Sequence, residues 1–165
     1  FIYVGIYTIW LKPRSVLNVV IGGAAGSAAV ISGGAAVGNW TGSGVWLLAA
    51  LLFTWSPMHF WSLALAYRAD YARADVPMLP VVADQRRAVF WMLVHAGTTA
   101  IFGLLLGIEL GWLYLAPVAL ATLWLLREST SLNRDYSGAR ALSVFKVSNI
   151  YLSLVLLAIV VAMLI

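Results

Sequence analysis

Long apolar runs separated by short polar links constrain the fold of this chain more than any other feature. Hydrophobic residues make up 63% of the sequence and charged residues 10%, whereas a soluble domain has about a quarter of its residues charged. A helix needs roughly 17–25 apolar residues to cross a bilayer. Five runs have about this length, at residues 16–37, 45–66, 89–108, 111–126 and 142–165. The predicted fold class is therefore all-α, a polytopic transmembrane helical bundle of about five full spans.

Residues 1–11 form a further apolar run that is too short to cross a bilayer and does not begin with methionine. This run predicts an N-terminal partial helix that continues from an earlier one. We therefore expect residues 1–165 to form a single membrane domain, the later part of a longer domain whose N-terminal half is absent. A site shared between the two halves would be incomplete here, so this fragment alone is expected to be inactive.

The basic residues follow the alternation of the spans. The net charge is +4, and links 38–44 and 108–111 contain no lysine or arginine. All ten basic residues lie in or beside the other links: Lys12, Arg14, Arg68, Arg73, Arg86, Arg87, Arg127, Arg134, Arg140 and Lys146. The positive-inside rule places such links on one cytoplasmic face. The charge therefore indicates topology rather than nucleic-acid binding, and the lack of cysteine excludes thiolate metal sites and a cysteine nucleophile.

Residues 55–80, WSPMHFWSLALAYRADYARADVPMLP, join an apolar helix to a charged segment. His59 lies inside the predicted span, and an ionisable residue there suggests a function. It could ligate a metal-containing macrocycle, carry a proton or contact a substrate carboxylate. The alternative is a neutral imidazole that is hydrogen-bonded between helices. On one continuous helix His59 and Asp70 would share a face about 16 Å apart.

The charged segment combines Asp70 and Asp75 with Arg68 and Arg73. Carboxylates suit Mg²⁺, which commonly shares its oxygen ligands with substrate phosphates, and arginines suit phosphate oxygens. The two aspartates are about 140° apart around a straight helix, so one such helix would not direct both at one ion. Two prolines in VPMLP predict that the chain leaves the helix after Asp75. The alternative is a solvated loop whose arginines only set topology.

A second basic group precedes the run at residues 16–37. Lys12 and Arg14 lie at its start, and Asn18 lies about one turn inside, where a buried amide needs a partner. If these side chains face Asp70, a cationic wall opposes an anionic one and could hold a metal-bound diphosphate. The alternative role for the two cations is topological.

Small residues dominate the run at residues 16–37. They predict close helix packing, and Gly22, Gly23 and Gly26 could also thin the helix beside a cavity for a large ligand. Ser148 and Asn149 are predicted to form hydrogen bonds between helices. Glu109 at the uncharged end suggests no role. Four aromatic residues at that end are predicted interfacial anchors: Trp40, Trp46, Trp112 and Tyr114.

Three segments resemble the intramembrane aromatic prenyltransferase superfamily, and specifically its haem-farnesylating branch: YTIWLKPRSVLNVVIGGAAGS, WSPMHFWSLALAYRADYARADVPMLPVV and ARALSVFKVSNIYLSL. The likeness covers nearly the whole chain. Other branches usually have two aspartates four residues apart. Here the residue four after Asp70 is Ala74, as is usual in the haem branch.

The resemblance implies a nine-span bundle in the plasma membrane of a bacterium, with the basic loops cytoplasmic. It implies transfer of a farnesyl group from farnesyl diphosphate to the vinyl group of haem B, giving haem O and diphosphate, with Mg²⁺ as cofactor. Candidate partners are the lipid bilayer and other proteins of haem A synthesis or oxidase assembly. The implied catalytic residues are Asp70, Lys12 and Arg14, the metal ligands Asp70 and Asp75, and the substrate contacts Asn18, His59, Arg68, Tyr71 and Arg73.

Two departures from the family pattern affect these expectations. The first aspartate-rich motif of the family is absent from this chain. Pro13 stands where a second basic residue is common, and SAAVISGG replaces a segment that is often rich in proline. Two other functions stay open: prenylation of a quinone precursor or another aromatic ring, and a non-catalytic scaffold or transporter half.

Overall fold

A computed structural model describes Leu11 and residues 13–165 of the chain. All regular structure in this part of the chain is helical: α1 (Asn18–Ala36), α2 (Ser43–Ala66), α3 (Arg68–Arg73), α4 (Leu79–Val82), α5 (Gln85–Leu110), α6 (Trp112–Ser131) and α7 (Gly138–Leu164). Helices satisfy their backbone polar groups internally, as a hydrocarbon environment demands. The predicted all-α fold class is confirmed.

Four of the described helices, α1, α2, α5 and α7, are long and apolar enough to cross a membrane. They correspond to four of the five predicted spans, within two residues at the ends of α1 and one residue at the end of α7. The remaining span, residues 111–126, lies in α6, whose 20 residues extend about 30 Å. Helix α6 ends in a polar segment that includes Arg127 and Glu128, and it is not among the four. The predicted partial helix at residues 1–11 lies outside the described residues except for Leu11.

Helix α2 is the axis of the bundle. It packs against α1, α5 and α7, while α6 packs against α5 and α7. In the most apolar 18-residue stretch of α2, 56% of the residues are buried in the bundle, compared with 11% in the corresponding stretch of α1. Its buried side chains include Leu51, Met58 and Trp61. Helix α2 is therefore held by three neighbouring helices along its length taken as a whole.

Small residues bring α1 close to α2, as the sequence predicts. A Cβ atom on Gly23 would lie 3.1 Å from the Cβ of Ser56 and 3.2 Å from the carbonyl oxygen of Phe53. One turn further along α1, the Ser27 hydroxyl donates to the carbonyl oxygen of Ala49 at 2.7 Å. Gly26 has no atom within 4 Å of its Cβ position. Close packing therefore depends on one face of α1.

The chain breaks its helices where it changes direction at the charged end. The backbone of Tyr67 (φ −113°, ψ 37°) leaves the helical region between α2 and α3. His59 and Asp70 therefore lie on different helices, and the expectation that one continuous helix presents both on a common face was wrong. Asp75 adopts a φ of 51°, and α3 ends just before it at Arg73. The predicted exit from the helix after Asp75 is confirmed.

Tyr114 is fully buried, so its predicted role as an interfacial anchor was wrong. Its hydroxyl donates to the carbonyl oxygen of Gly103 at 2.8 Å, which ties α6 to α5. The other three predicted anchors, Trp40, Trp46 and Trp112, are exposed. Gly111, with a φ of 76°, makes the tight turn between α5 and α6 just before Trp112 and Tyr114.

Gly103 also lies against the hydroxyl of Tyr151 on α7, so an added methyl group would collide with that oxygen. We expect Gly103→Ala to lower the thermal midpoint of the intact protein in detergent, at a cost of about 1–3 kcal/mol for overpacking. Circular dichroism during heating measures this midpoint.

Gly97→Ala on the same helix is the matched control, since nothing lies within 4 Å of its Cβ position. It should leave the midpoint unchanged or raise it, because alanine favours a helix more than glycine does. Adding Tyr151→Phe to Gly103→Ala should restore stability, since only the hydroxyl collides. Equal midpoints for the two alanine variants would contradict the contact.

Candidate active site

Four predicted site residues lie together on α3, a six-residue helix at the charged end of α2: Arg68, Asp70, Tyr71 and Arg73. Arg73 and Asp70 form an ion pair, with side chains 78% and 56% exposed. Exposed ion pairs contribute little to stability. The Asp70 carboxylate can therefore exchange this arginine for a stronger ligand at small cost.

The remaining residues of α3 anchor the segment to the bundle. The Arg68 guanidinium donates to the carbonyl oxygen of Val81 at 3.4 Å and so joins α3 to α4. The Tyr71 side chain packs against the apolar core, and its partial burial raises the pKa of its hydroxyl. That hydroxyl therefore stays protonated, as a hydrogen-bond donor, at neutral pH. The charged segment is thus a folded element at the end of the bundle.

The carboxylates fit only part of a magnesium site. Oxygen ligands from Asp70 and Asp75 suit a hard cation. The left-handed conformation of Asp75 turns the chain from α3 toward α4. In the described part of the chain, no group of three histidine or acidic side chains could hold a metal ion. The assignment of Mg²⁺ to Asp70 and Asp75 stays a prediction that requires ligands from outside this chain.

The cationic group before α1 is described in part. Arg14 is exposed in a turn, where its backbone N–H donates to the carbonyl oxygen of Leu11 at 3.0 Å. Asn18 begins α1 and is only 1% exposed. Lys12 lies outside the described residues. The proposed contact of Lys12 and Arg14 with diphosphate, and of Asn18 with substrate, stay predictions.

His59 is packed between α2 and α7. Its ring stacks on Trp55 at 4.2 Å and on Phe145 at 4.4 Å between centroids. Its Nδ1 lies 2.8 Å from the hydroxyl oxygen of Ser148. That hydroxyl donates its proton to the carbonyl oxygen of Phe145 at 2.7 Å, so its oxygen accepts the Nδ1 proton of His59. The structure therefore places the imidazole in a hydrogen bond between two helices, α2 and α7.

Ser148 thus joins two helices, as predicted, but Asn149 does not. The Asn149 side chain is exposed and donates to the carbonyl oxygen of Phe145 on its own helix at 3.3 Å. Trp55 adds a further link, from its indole N–H to the carbonyl oxygen of Ser148 at 2.9 Å. The i, i+4 spacing of Trp55 and His59 could have indicated their stacking, whereas no sequence signal pairs either one with α7.

A cavity lies at the opposite end of the bundle from α3. It has about 600 Å³ and is mainly apolar, with contributions from α1, α2, α5 and α7. Glu109 lines it and lies beside the start of α2, where a Cβ atom on Gly44 would be 2.7 Å from a carboxylate oxygen. A negative charge there complements the helix dipole, a role that the sequence did not suggest.

Four helices long and apolar enough to cross a membrane, with a folded ionic segment at one end, define a multi-pass integral membrane protein. The chain belongs to the UbiA prenyltransferase family, whose model matches residues 1–150. No solved structure matches it.

Its relatives include proteins named protoheme IX farnesyltransferase. The one from Sulfurisphaera tokodaii is 42% identical over all of this chain and 55% of its own length. The one from Synechococcus is 43% identical over 93% of this chain and 48% of its own length. The one from Thermus thermophilus is 45% identical over 94% of this chain and 26% of its own length. The chain thus spans about half, or less, of the relatives it matches.

The contact between His59 and Ser148 yields a stability prediction. Ser148→Ala leaves a buried ring nitrogen without its partner, which costs about 1–3 kcal/mol. We expect a lower thermal midpoint for the intact protein in detergent. Ser153→Ala is the control, because Ser153 is an exposed serine on the same helix, and it should have no effect. A Ser148→Ala midpoint equal to that of Ser153→Ala would show that the bond contributes nothing.

Proposed function

We propose that the intact protein transfers a farnesyl group from farnesyl diphosphate to the vinyl group of haem B, giving haem O and diphosphate. One observation carries this proposal. The similarity to proteins named protoheme IX farnesyltransferase runs along 93–100% of this chain at 42–45% identity. It includes residues 55–80, where the aromatic layer around His59 precedes the ionic α3.

In this proposal Asp70 and Asp75 supply oxygen ligands to Mg²⁺, which when bound neutralises charge on the diphosphate. Lys12 and Arg14, with Arg68 and Arg73 as substrate contacts, bind the diphosphate oxygens. Arginine suits this task because its planar donors match phosphate geometry. In this proposal the other acidic ligands come from outside this chain, which spans about half, or less, of the length of its relatives.

The reaction begins when the bond between C1 of the farnesyl group and the diphosphate oxygen breaks. The electron pair leaves with that oxygen, and the cationic side chains stabilise the growing negative charge, the kind of electrostatic assistance that dominates many enzymatic reactions. The vinyl π electrons of haem B then form a carbon–carbon bond to the allylic cation. Water adds to the resulting carbocation and loses a proton, which completes the hydroxyethylfarnesyl group.

The apolar end of residues 55–80, around His59, would receive the haem macrocycle. Asn18, His59 and Tyr71 are proposed to contact substrate. Because Nδ1 of His59 is bonded to Ser148, the other ring nitrogen, Nε2, is the one proposed to face haem. By the positive-inside rule, we place the charged end of the bundle in the cytoplasm and the protein in a bacterial plasma membrane. Proteins of haem A synthesis or oxidase assembly are proposed partners.

Incubation of the intact protein with haem B, farnesyl diphosphate and Mg²⁺ tests the activity. Mass spectrometry of the extracted haem should show the addition of one farnesyl group and one water. A parallel incubation offers a phenolic acceptor in place of haem B and should give no product. Unmodified haem together with a prenylated phenol would support the quinone-precursor alternative and overturn the proposal.

Asp70→Asn should lower turnover about a hundredfold, the typical loss when one electrostatic contact to a transition state is removed. Asp84→Asn is a matched control at the same end of the bundle. Asp84 caps α5 by accepting the backbone N–H of Arg87 at 2.9 Å, and asparagine caps helices about as well. That variant should keep its turnover. Full turnover in Asp70→Asn would refute the metal assignment and favour a topological role for the charged segment.

A further inference from the structure

A second cavity of about 340 Å³ lies at the charged end of the bundle, between α1, α2 and α5. None of the residues assigned above to substrate or metal lines it. Val20 of α1, Trp61 of α2, and Arg87, Trp91 and His95 of α5 are among its lining residues. It is a separate feature from α3 and from the larger cavity at the other end.

Two lining residues carry buried nitrogen atoms that lack hydrogen bonds. Trp61 is 3% exposed, and its indole Nε1 has no partner among the described residues. His95 Nδ1 is also buried without a partner in that part of the chain. The two rings meet edge to face, with centroids 5.4 Å apart. Buried polar groups are normally paired, so a ligand with an acceptor oxygen would satisfy a donor that the described residues leave unpaired.

The entrance to this cavity is cationic. Arg87 is exposed, and within the described residues no carboxylate lies at salt-bridge distance from its guanidinium. Asp84 is near in sequence but accepts the backbone N–H of Arg87 and so caps the helix. Arg86 adds a second positive charge next to Arg87. Trp91, which is 41% exposed, supplies the aromatic surface that favours a membrane interface.

We propose that this cavity binds one anionic phospholipid from the surrounding bilayer. Its phosphate contacts Arg87, an ester carbonyl accepts the Trp61 N–H, and an acyl chain lies along Val20 and the neighbouring apolar surface of α1. Basic pockets between transmembrane helices bind anionic head groups in this way. The volume is at the lower end of the roughly 300–1,000 Å³ of ligand pockets, which suits the upper part of one lipid. The proposal does not depend on the proposed activity.

Native mass spectrometry of the intact protein tests this site. The protein in detergent is titrated with phosphatidylglycerol or with phosphatidylcholine of the same acyl chains. We expect tighter binding of phosphatidylglycerol. Arg87→Gln should weaken that binding about fivefold, the contribution of one basic residue at an anionic surface. Arg134→Gln removes an exposed arginine of the α6–α7 link at the same end and should leave binding unchanged.

A second measurement reports on the depth of the site and does not require Arg87→Gln to fold. Phosphatidylglycerol with brominated acyl chains should quench tryptophan fluorescence in the wild-type protein, and Trp61→Phe should reduce the quenched fraction. Trp124→Phe, which removes an exposed tryptophan on α6, should reduce it less. Inorganic phosphate should not displace the bound lipid.

The proposal would be overturned by equal binding of the two lipids, by equal weakening in Arg87→Gln and Arg134→Gln, or by equal loss of quenching in the two tryptophan variants. Displacement by inorganic phosphate would also overturn it, because the site would then recognise a free anion and not a lipid.

Discussion

The structure depends on the absence of water around its apolar helices. Each backbone N–H and carbonyl group in hydrocarbon must find a partner within the chain, and an α-helix satisfies these groups locally. Helix α2 is the most enclosed of the four membrane-length helices described. It packs against three other helices, and more than half of its most apolar 18-residue stretch is buried. Within the described residues the chain leaves helical geometry in the links between helices, for example at Tyr67, Asp75 and Gly111, where polar or interfacial surroundings can satisfy the backbone.

A few buried polar contacts fix how the helices meet. His59 bonds to Ser148 between α2 and α7, Ser27 bonds to the backbone of α2, and Tyr114 bonds to the backbone of α5. Between apolar helices in lipid there is little hydrophobic drive, so small residues and such hydrogen bonds determine register. This rigid arrangement positions α3 at one end of the bundle. Asp70 and Arg73 are exposed and paired with each other, so this ion pair can be exchanged at small cost.

Much of this arrangement is predictable from local patterns. Runs of apolar residues predict the spans, and the two prolines after Asp75 predict the end of α3. The clustering of Arg68, Asp70, Tyr71 and Arg73 follows from their proximity in sequence. The predictions failed where a residue's environment depends on another helix. Tyr114 looks like an interfacial anchor in sequence but is buried against α5. Asn149 looks like an interhelical donor but bonds to its own helix, because it is on the exposed side of α7.

The sequence by itself determined that this chain is an all-helical membrane protein with one charged end, because hydropathy and charge act through the bilayer and need no knowledge of neighbours. It also placed the ionic residues in one segment and, through their pattern, indicated a family. Only the tertiary structure decided which side chains meet across helices. The break at Tyr67 separates His59 from Asp70, the stacking of Trp55 and Phe145 encloses His59, and Trp61 and His95 meet at a cavity. Such contacts depend on helix rotation and register, which result from packing among several helices at once.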